Sequence, residues 1–310
     1  MAHAIPTRVR QILVPLTAVA VAAVLVLRSH SLLAPFGQLR NPDVGWLAVA
    51  VVAQAASIAA YAFGVRELLR LGSVAARVRS LLRATVGGIA MSASLPGGQA
   101  ASAVYWYRQL RQEGADSGAR AFAMVGAMLA GILSLASLLV LGVVLAGGEG
   151  PLAAARLPIV AAGAAAVCLL VVFRRRLAQL LRVPGRFTVD RRGLVVVGVL
   201  AYANWLLDCV ALCAALAAVH ASVPLRSILL TYALAQLVAS IPLLPGGGGT
   251  VEATLTLGFA AFGHTTGSVV AGVLLFRVIS CWGLVPLGWA AVAFEGRQLR
   301  TARSPVCVPA

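Results

Sequence analysis

The sequence predicts an all-α integral membrane protein, and three features carry that prediction. The first is composition. Of 310 residues, 61% are hydrophobic and only 11% charged, where a soluble domain has roughly 45–50% apolar and about 25% charged residues; the mean hydropathy is +0.95. The second is arrangement, because long apolar segments alternate with arginine-rich loops, as in helices that cross a bilayer and keep their basic loops in the cytoplasm. The third is a pair of interruptions inside apolar sequence, one at Leu95-Pro96-Gly97-Gly98-Gln99 and a longer one running from Ser240 through Pro245 and Gly246-Gly247-Gly248-Gly249 to Glu252. Proline removes a backbone donor and glycine admits backbone angles that other residues avoid, so no regular helix passes through either intact. In lipid such a break must be packed in protein or line a wet cavity, which makes both breaks candidate sites.

The net charge of +16 would point to nucleic acid in a soluble chain. Here all the basic residues are arginines, and the expectation is membrane anchoring with no nucleic-acid partner. The five cysteines form no disulfide framework: four fall in apolar segments and Cys307 lies near the end. Cys209 and Cys213 share a helix face without nearby histidine or acidic ligands, so no metal and no cofactor is expected.

Taken in order, an apolar run over residues 12–27 follows Arg8 and Arg10 and reads as a signal anchor and first span. A second span covers residues 46–64. Next come Arg66, Arg70, Arg77, Arg79 and Arg83 against one Glu67, with Leu71, Val74, Val78, Leu81 and Leu82 at helical spacing. Two readings are open for this stretch, an amphipathic helix on the membrane surface or a plain cytoplasmic loop. Residues 84–106 are apolar and broken at Pro96; Tyr105, Trp106 and Tyr107 read as an interfacial aromatic belt. Further spans follow at 122–146, 157–173, 193–219 and 267–294, with the densest arginine cluster between 174 and 192 and the second broken region between 228 and 262.

If residues 84–106 crossed the membrane, the cluster at 174–192 would fall outside, against the charge bias. If they enter and return on the cytoplasmic side, every arginine-rich loop falls inside. The same reasoning makes the region around Pro245 a hairpin entering from outside. The expected architecture is six full spans and two re-entrant broken-helix hairpins (eight spans if the hairpins are counted as spanning), in the cell membrane with both termini cytoplasmic. A shift of 149 residues lays Leu95-Pro96-Gly97-Gly98 on Leu244-Pro245-Gly246-Gly247, Gly114 on Gly263 and Arg77 on Arg226. Each half, 1–149 and 150–310, would cross three times, so the second would be inverted, a recurring transporter plan.

Ionisable residues inside the membrane are scarce and costly, roughly 2.5–3.5 kcal/mol each at a helix centre on insertion scales. Glu252 follows the glycine run, Arg277 lies mid-span in the last helix, and Asp208 lies mid-span one turn from Asn204. Glu252 and Arg277 read either as a pair that locks hairpin to helix or as a polar station for a substrate; the two are compatible if a head group opens the pair. Asp208 reads chiefly as a group satisfying a neighbouring helix. Gln99 takes the place nearest the first break, and Arg108 and Arg111 could anchor that hairpin or meet lipid phosphate. No pair of carboxylates is spaced for acid–base work, and no phosphate loop has its lysine, so an enzyme is not expected.

The stretch from Pro245 to Glu252, followed by Gly263 and Arg277, resembles the flippase-like membrane domain of the lysylphosphatidylglycerol synthase family. Leu95 to Gln99, with Tyr105, Tyr107, Arg108 and Gly114, is similar to that family's first motif. The resemblance covers nearly the whole chain. It implies the handling of a membrane lipid, anionic or with a modified head group, and it makes Glu252 and Arg277 matching positions. The first motif often has a Gly-Glu pair where this chain has Gly98-Gln99, which leaves a carboxylate role in the first hairpin unsupported. The synthase domain is not expected here. The resemblance therefore implies a lipid flippase; an accessory subunit presenting lipid to a partner enzyme, with a homodimer as another partnership, and a lipid glycosylation enzyme are the alternatives.

Overall fold

The protein is all-helical in the computed structural model, which describes residues 42–95, 97–145, 190–239 and 249–301, with side chains as far as Glu295. The expected spans at 12–27 and 157–173, most of the arginine cluster at 174–192, and Pro96, Pro245, Gly246, Gly247 and Gly248 lie outside the described residues. The helices are α1 (Val44–Leu71), α2 (Val78–Ser94), α3 (Gly98–Gln112), α4 (Ser117–Leu145), α5 (Arg191–Ala218), α6 (Leu225–Ala239), α7 (Thr250–Ala261), α8 (Gly267–Arg277) and α9 (Leu284–Thr301), with a π-helical turn at Val278–Trp282 joining the last two. Among the described residues, four stretches are long and apolar enough to cross a membrane: α1, α4, α5 and the composite Gly267–Glu295. Large apolar side chains stand exposed along them, among them Val52, Ile132, Val195 and Leu287, as lipid-facing surfaces do.

Local chemistry sets the ends of these helices. Asp43 and Asp190 cap α1 and α5, each carboxylate accepting backbone N–H groups of the first turn, Gly45 at 2.8 Å and Gly193 at 2.7 Å, which satisfies donors the helix cannot. The helices α2 and α3 form one hairpin, α6 and α7 the other. Their second arms each start from a glycine in the left-handed region, Gly97 (φ +68) and Gly249 (φ +81), and end beside another, Gly114 (φ +83) and Gly263 (φ +82). A β-carbon is disfavoured at such angles. The Gly97–Gly249 correspondence differs from the register in which Gly97 falls on Gly246.

The helices α1 and α5 are antiparallel and form the centre of the bundle. The Asp43 N–H donates to the Ala218 carbonyl at 2.9 Å, and at the other end Arg70 lies 3.6 Å from Asp190. The hairpins flank this pair from opposite poles. Arg77 N–H donates to the Glu113 carboxylate at 2.8 Å, tying the start of α2 to the end of α3. The helices α4 and α9 each reach across to a hairpin arm distant in the chain: Gly142 of α4 lies against Leu230 of α6, and Gly288 of α9 against Val86 and Ala90 of α2. Trp289 adds an N–H donated to Ser94 Oγ at 3.0 Å.

Two local expectations are corrected. Residues 66–83 form neither a separate surface helix nor a plain loop. The helix α1 runs on to Leu71, the chain turns at Gly72 and Ser73 (φ +60), and α2 has begun by Val78; the apolar stripe belongs to two helices and packs inward, with Leu71 and Leu81 buried. The aromatic belt fails at Trp106, which is buried and stands edge-on to Tyr61 at 5.8 Å. The expected last span stands as Gly267–Glu295, with a π turn at Val278–Trp282 inside it. Pro286 has no N–H to offer the carbonyl of Trp282, and the turn just before it is widened, with Gly283 N–H donating to Val278 O.

Candidate functional site

A cavity of about 340 Å³ lies where the two hairpins meet the α1–α5 pair. Its wall is polar for a membrane interior, and α1 and α5 supply it from matching positions. Ser57 and Asn204 stand equally far from the capping aspartates, as do Tyr61 and Asp208, and all four line the space. Ser57 Oγ donates to the Asn204 main-chain carbonyl at 2.9 Å and lies 3.1 Å from Asn204 Oδ1. That pins the crossing of the two helices through a polar contact worth about 1 kcal/mol. Trp205 donates its indole N–H to Gly131 O at 2.9 Å, which fixes its ring against α4 beside the cavity.

The charged residues occupy one side of the cavity. Arg277 lines it, and its Nε donates to Glu252 Oε1 at 2.7 Å. The side chains of the pair are 9% and 14% exposed. Each element contributes for a local reason. Gly249 turns the chain into α7, which puts Glu252 in the first turn of that helix, where a carboxylate is favoured by the helix dipole. Arg277 ends α8 immediately before the π turn, and π turns recur at functional sites because they re-aim side chains. Glu252 Oε2 is buried without a hydrogen-bond partner among the described residues. Glu252 itself is not part of the cavity wall; it stands behind Arg277.

Asp208 faces the same space, 8% exposed. Tyr232 O–H donates to its Oδ2 at 2.6 Å and Gln236 Nε2 at 3.0 Å. It does satisfy a neighbouring helix, and it lines the cavity as well. Gln99, near the start of α3, lines the cavity from the first hairpin together with Ser102 and Trp106. Arg108, further along α3, is exposed and is not among the lining residues. Gly249 caps α7, whereas Gly246, Gly247 and Gly248 fall outside the described residues.

Sequence reasoning brought Glu252, Arg277 and Asp208 forward but missed Gln54, Ser57, Tyr61, Asn204 and Gln236 as a wall. Their signal is a polar residue in an otherwise apolar span, too common to single out before the crossing of α1 and α5 is known. A second polar cluster was also missed. Glu295 accepts from Tyr105 O–H at 2.8 Å and from Gln109 Nε2, and Arg83 lies 4.0 Å away. It joins the foot of the first hairpin to α9. Among the described residues no group of three histidine, cysteine or acidic side chains is positioned to hold a metal.

Residues 12–288 match the family model for the lysylphosphatidylglycerol synthase TM region. A UPF0104 membrane protein of Methanothermobacter thermautotrophicus is 26% identical over 115 residues, which is 37% of this chain. The chain spans 34% of that relative's length. With the family model covering most of its residues, the chain belongs to the lysylphosphatidylglycerol synthase TM region family.

Proposed function

We propose that the protein is a flippase-like transporter that takes the polar head group of a membrane lipid into the cavity between two inverted halves while the acyl chains remain in the bilayer. The observation that carries this reading is the cavity itself: about 340 Å³, walled by carboxamides, hydroxyls, Asp208 and Arg277, with Glu252 paired to Arg277 behind the wall, inside a bundle whose outer surface is apolar. Ionisable groups in a membrane interior mark substrate paths more often than simple structure, and binding sites near the meeting of inverted repeats recur among transporters. The inverted halves, 1–149 and 150–310, are supported by the antiparallel α1 and α5 and by features that come in pairs, including Asp43 with Asp190, Ser73 with His220, and Gly114 with Gly263. Arg277 is the head-group contact in this scheme, and Glu252 holds it until an anionic group competes. Movement, not bond chemistry, is the activity, in the cell membrane with the arginine-rich pole in the cytoplasm.

The test is reconstitution. Liposomes holding the full chain are loaded with fluorescent phosphatidylglycerol in both leaflets and treated outside with an impermeant quencher. The expected result is loss of the inner-leaflet signal several times faster than in empty vesicles. No acceleration across anionic, zwitterionic and glycosylated lipids would sink the reading. Capture of a partner enzyme by a chain that moves no lipid would favour the accessory-subunit alternative.

A further inference from the structure

We propose that Asp208 is a proton-binding site linked to the Arg277 side of the cavity, so that an anionic lipid head group enters together with a proton. This rests on the head-group reading given above. Asp208 and Arg277 line the same cavity, with Glu252 behind Arg277. The hydrogen-bond partners of Asp208 are neutral: Tyr232 at 2.6 Å, Gln236 at 3.0 Å, and Gln54 as a further neighbour. Neutral donors hold the carboxylate in place without cancelling its charge, whereas Glu252 takes the direct ion pair with Arg277 at 2.7 Å.

Among the described residues the surroundings contain few other charges that could intervene. The titratable side chains that share the cavity wall with Asp208 are Tyr61 from α1, Arg277 at the end of α8 and Cys281 from the π turn; Tyr232 from α6 bonds to it directly, Glu252 from α7 is paired to Arg277, and Cys209 and Cys213 follow it on α5 itself. The cavity walls supplied by α2 and α3 contain no titratable side chain among the described residues. On α4 the one titratable side chain among those residues is Arg120, near its start at the arginine-rich pole.

The charge count gives the linkage. With all three groups ionised, two carboxylates oppose one guanidinium. A phosphodiester arriving beside Arg277 adds a third negative charge, and each charge in this medium interacts strongly with the others. A proton on Asp208 removes one of them, so the head group is held more tightly when Asp208 is protonated. By reciprocity, a bound head group makes Asp208 hold its proton more tightly. No covalent step is involved: the proton comes from water and returns to water when the lipid leaves.

The test is calorimetric. The full chain in detergent is titrated with dioctanoyl phosphatidylglycerol, whose phosphodiester stays ionised between pH 6 and pH 8, in buffers of different ionisation enthalpy. The expected result is uptake of about one proton per lipid bound, with affinity falling by up to about tenfold per pH unit where Asp208 titrates. Asp208→Asn should bind with no proton uptake and a flat pH profile. Tyr232→Phe, which removes a donor but leaves the carboxylate, should keep the uptake and shift its pH midpoint. Binding by the wild type without proton uptake, or full uptake in Asp208→Asn, overturns this proposal and leaves the head-group reading standing. No binding of the lipid at any pH overturns both. If Asp208→Asn does not fold, an unmoved profile in Tyr232→Phe is the overturning result.

Discussion

Glu252 and Arg277 form a pair whose two readings separate when stability and transport are measured together. Removing one partner of a buried ion pair leaves the other uncompensated, at a cost of about 3–5 kcal/mol. Glu252→Gln and Arg277→Gln should each lower the unfolding midpoint in detergent and slow lipid movement. The double variant is neutral at both places, so its stability should recover toward the wild type while transport stays at the level of the single variants. Recovery of transport with stability would reduce the pair to a lock between α7 and the last span. The two residues were legible from the sequence because charge is rare in an apolar segment. Their contact, and the place of Asp208 beside Tyr232 and Gln236, was not, since nothing in the spacing says which faces of α5 and α6 meet. Gln99 was legible through its neighbours Pro96 and Gly97, whereas Ser57 and Asn204 carry only the common mark of a polar residue in an apolar span.

The elements meet through glycines, and those contacts predict which substitutions matter. A β-carbon at Gly288 would sit 2.4 Å from the Val86 carbonyl oxygen and 2.5 Å from the Ala90 β-carbon. Gly288→Ala should therefore push α9 off α2 and cost roughly 1–3 kcal/mol, the usual range for overpacking. At Gly198, also mid-helix, a β-carbon would meet nothing within 4 Å, so Gly198→Ala should be neutral or stabilising by up to about 1 kcal/mol, through helix propensity alone. Thermal unfolding of the two variants checks the contrast. The hairpin arms were readable from Pro96 and Pro245 because a break in an apolar run is a local signal. The boundary between α1 and α2 was obscured because arginines and an apolar stripe continue across it. The π turn had one sequence sign, Pro286, and its consequence for Arg277 depends on helix phase that composition does not reveal.

At the scale of the whole molecule the two poles differ sharply in charge. One gathers Arg66, Arg70, Arg77, Arg79, Arg83, Arg111 and Arg191, while at the other the described helices begin or end with Arg226 and few other charges. The positive-inside bias predicts that a basic pole of this kind lies on the cytoplasmic side. In a background with the native cysteines replaced by serine, an impermeant maleimide should label Leu225→Cys in intact cells and reach Arg111→Cys only after permeabilisation. The reverse pattern would invert the orientation. The all-helical class and the hairpins were legible in hydropathy and charge, since both are summed over many residues. The pairing of α1 with α5 was not, because it depends on a contact between residues far apart in the chain.

On the reading of two inverted halves proposed above, the closing spans each complete the hairpin of the opposite half, α4 against α6 and α9 against α2. Neither half can therefore bury its own first hairpin arm unaided. Had the two halves ever been separate polypeptides, each would have needed a companion inserted the other way up, and a mixed population of both orientations would have been the functional unit. On the same reading, joining them in one chain removes that dependence on chance insertion and frees each copy to diverge, so that the second arm of one hairpin carries Glu252 in its first turn while that of the other carries Gln99.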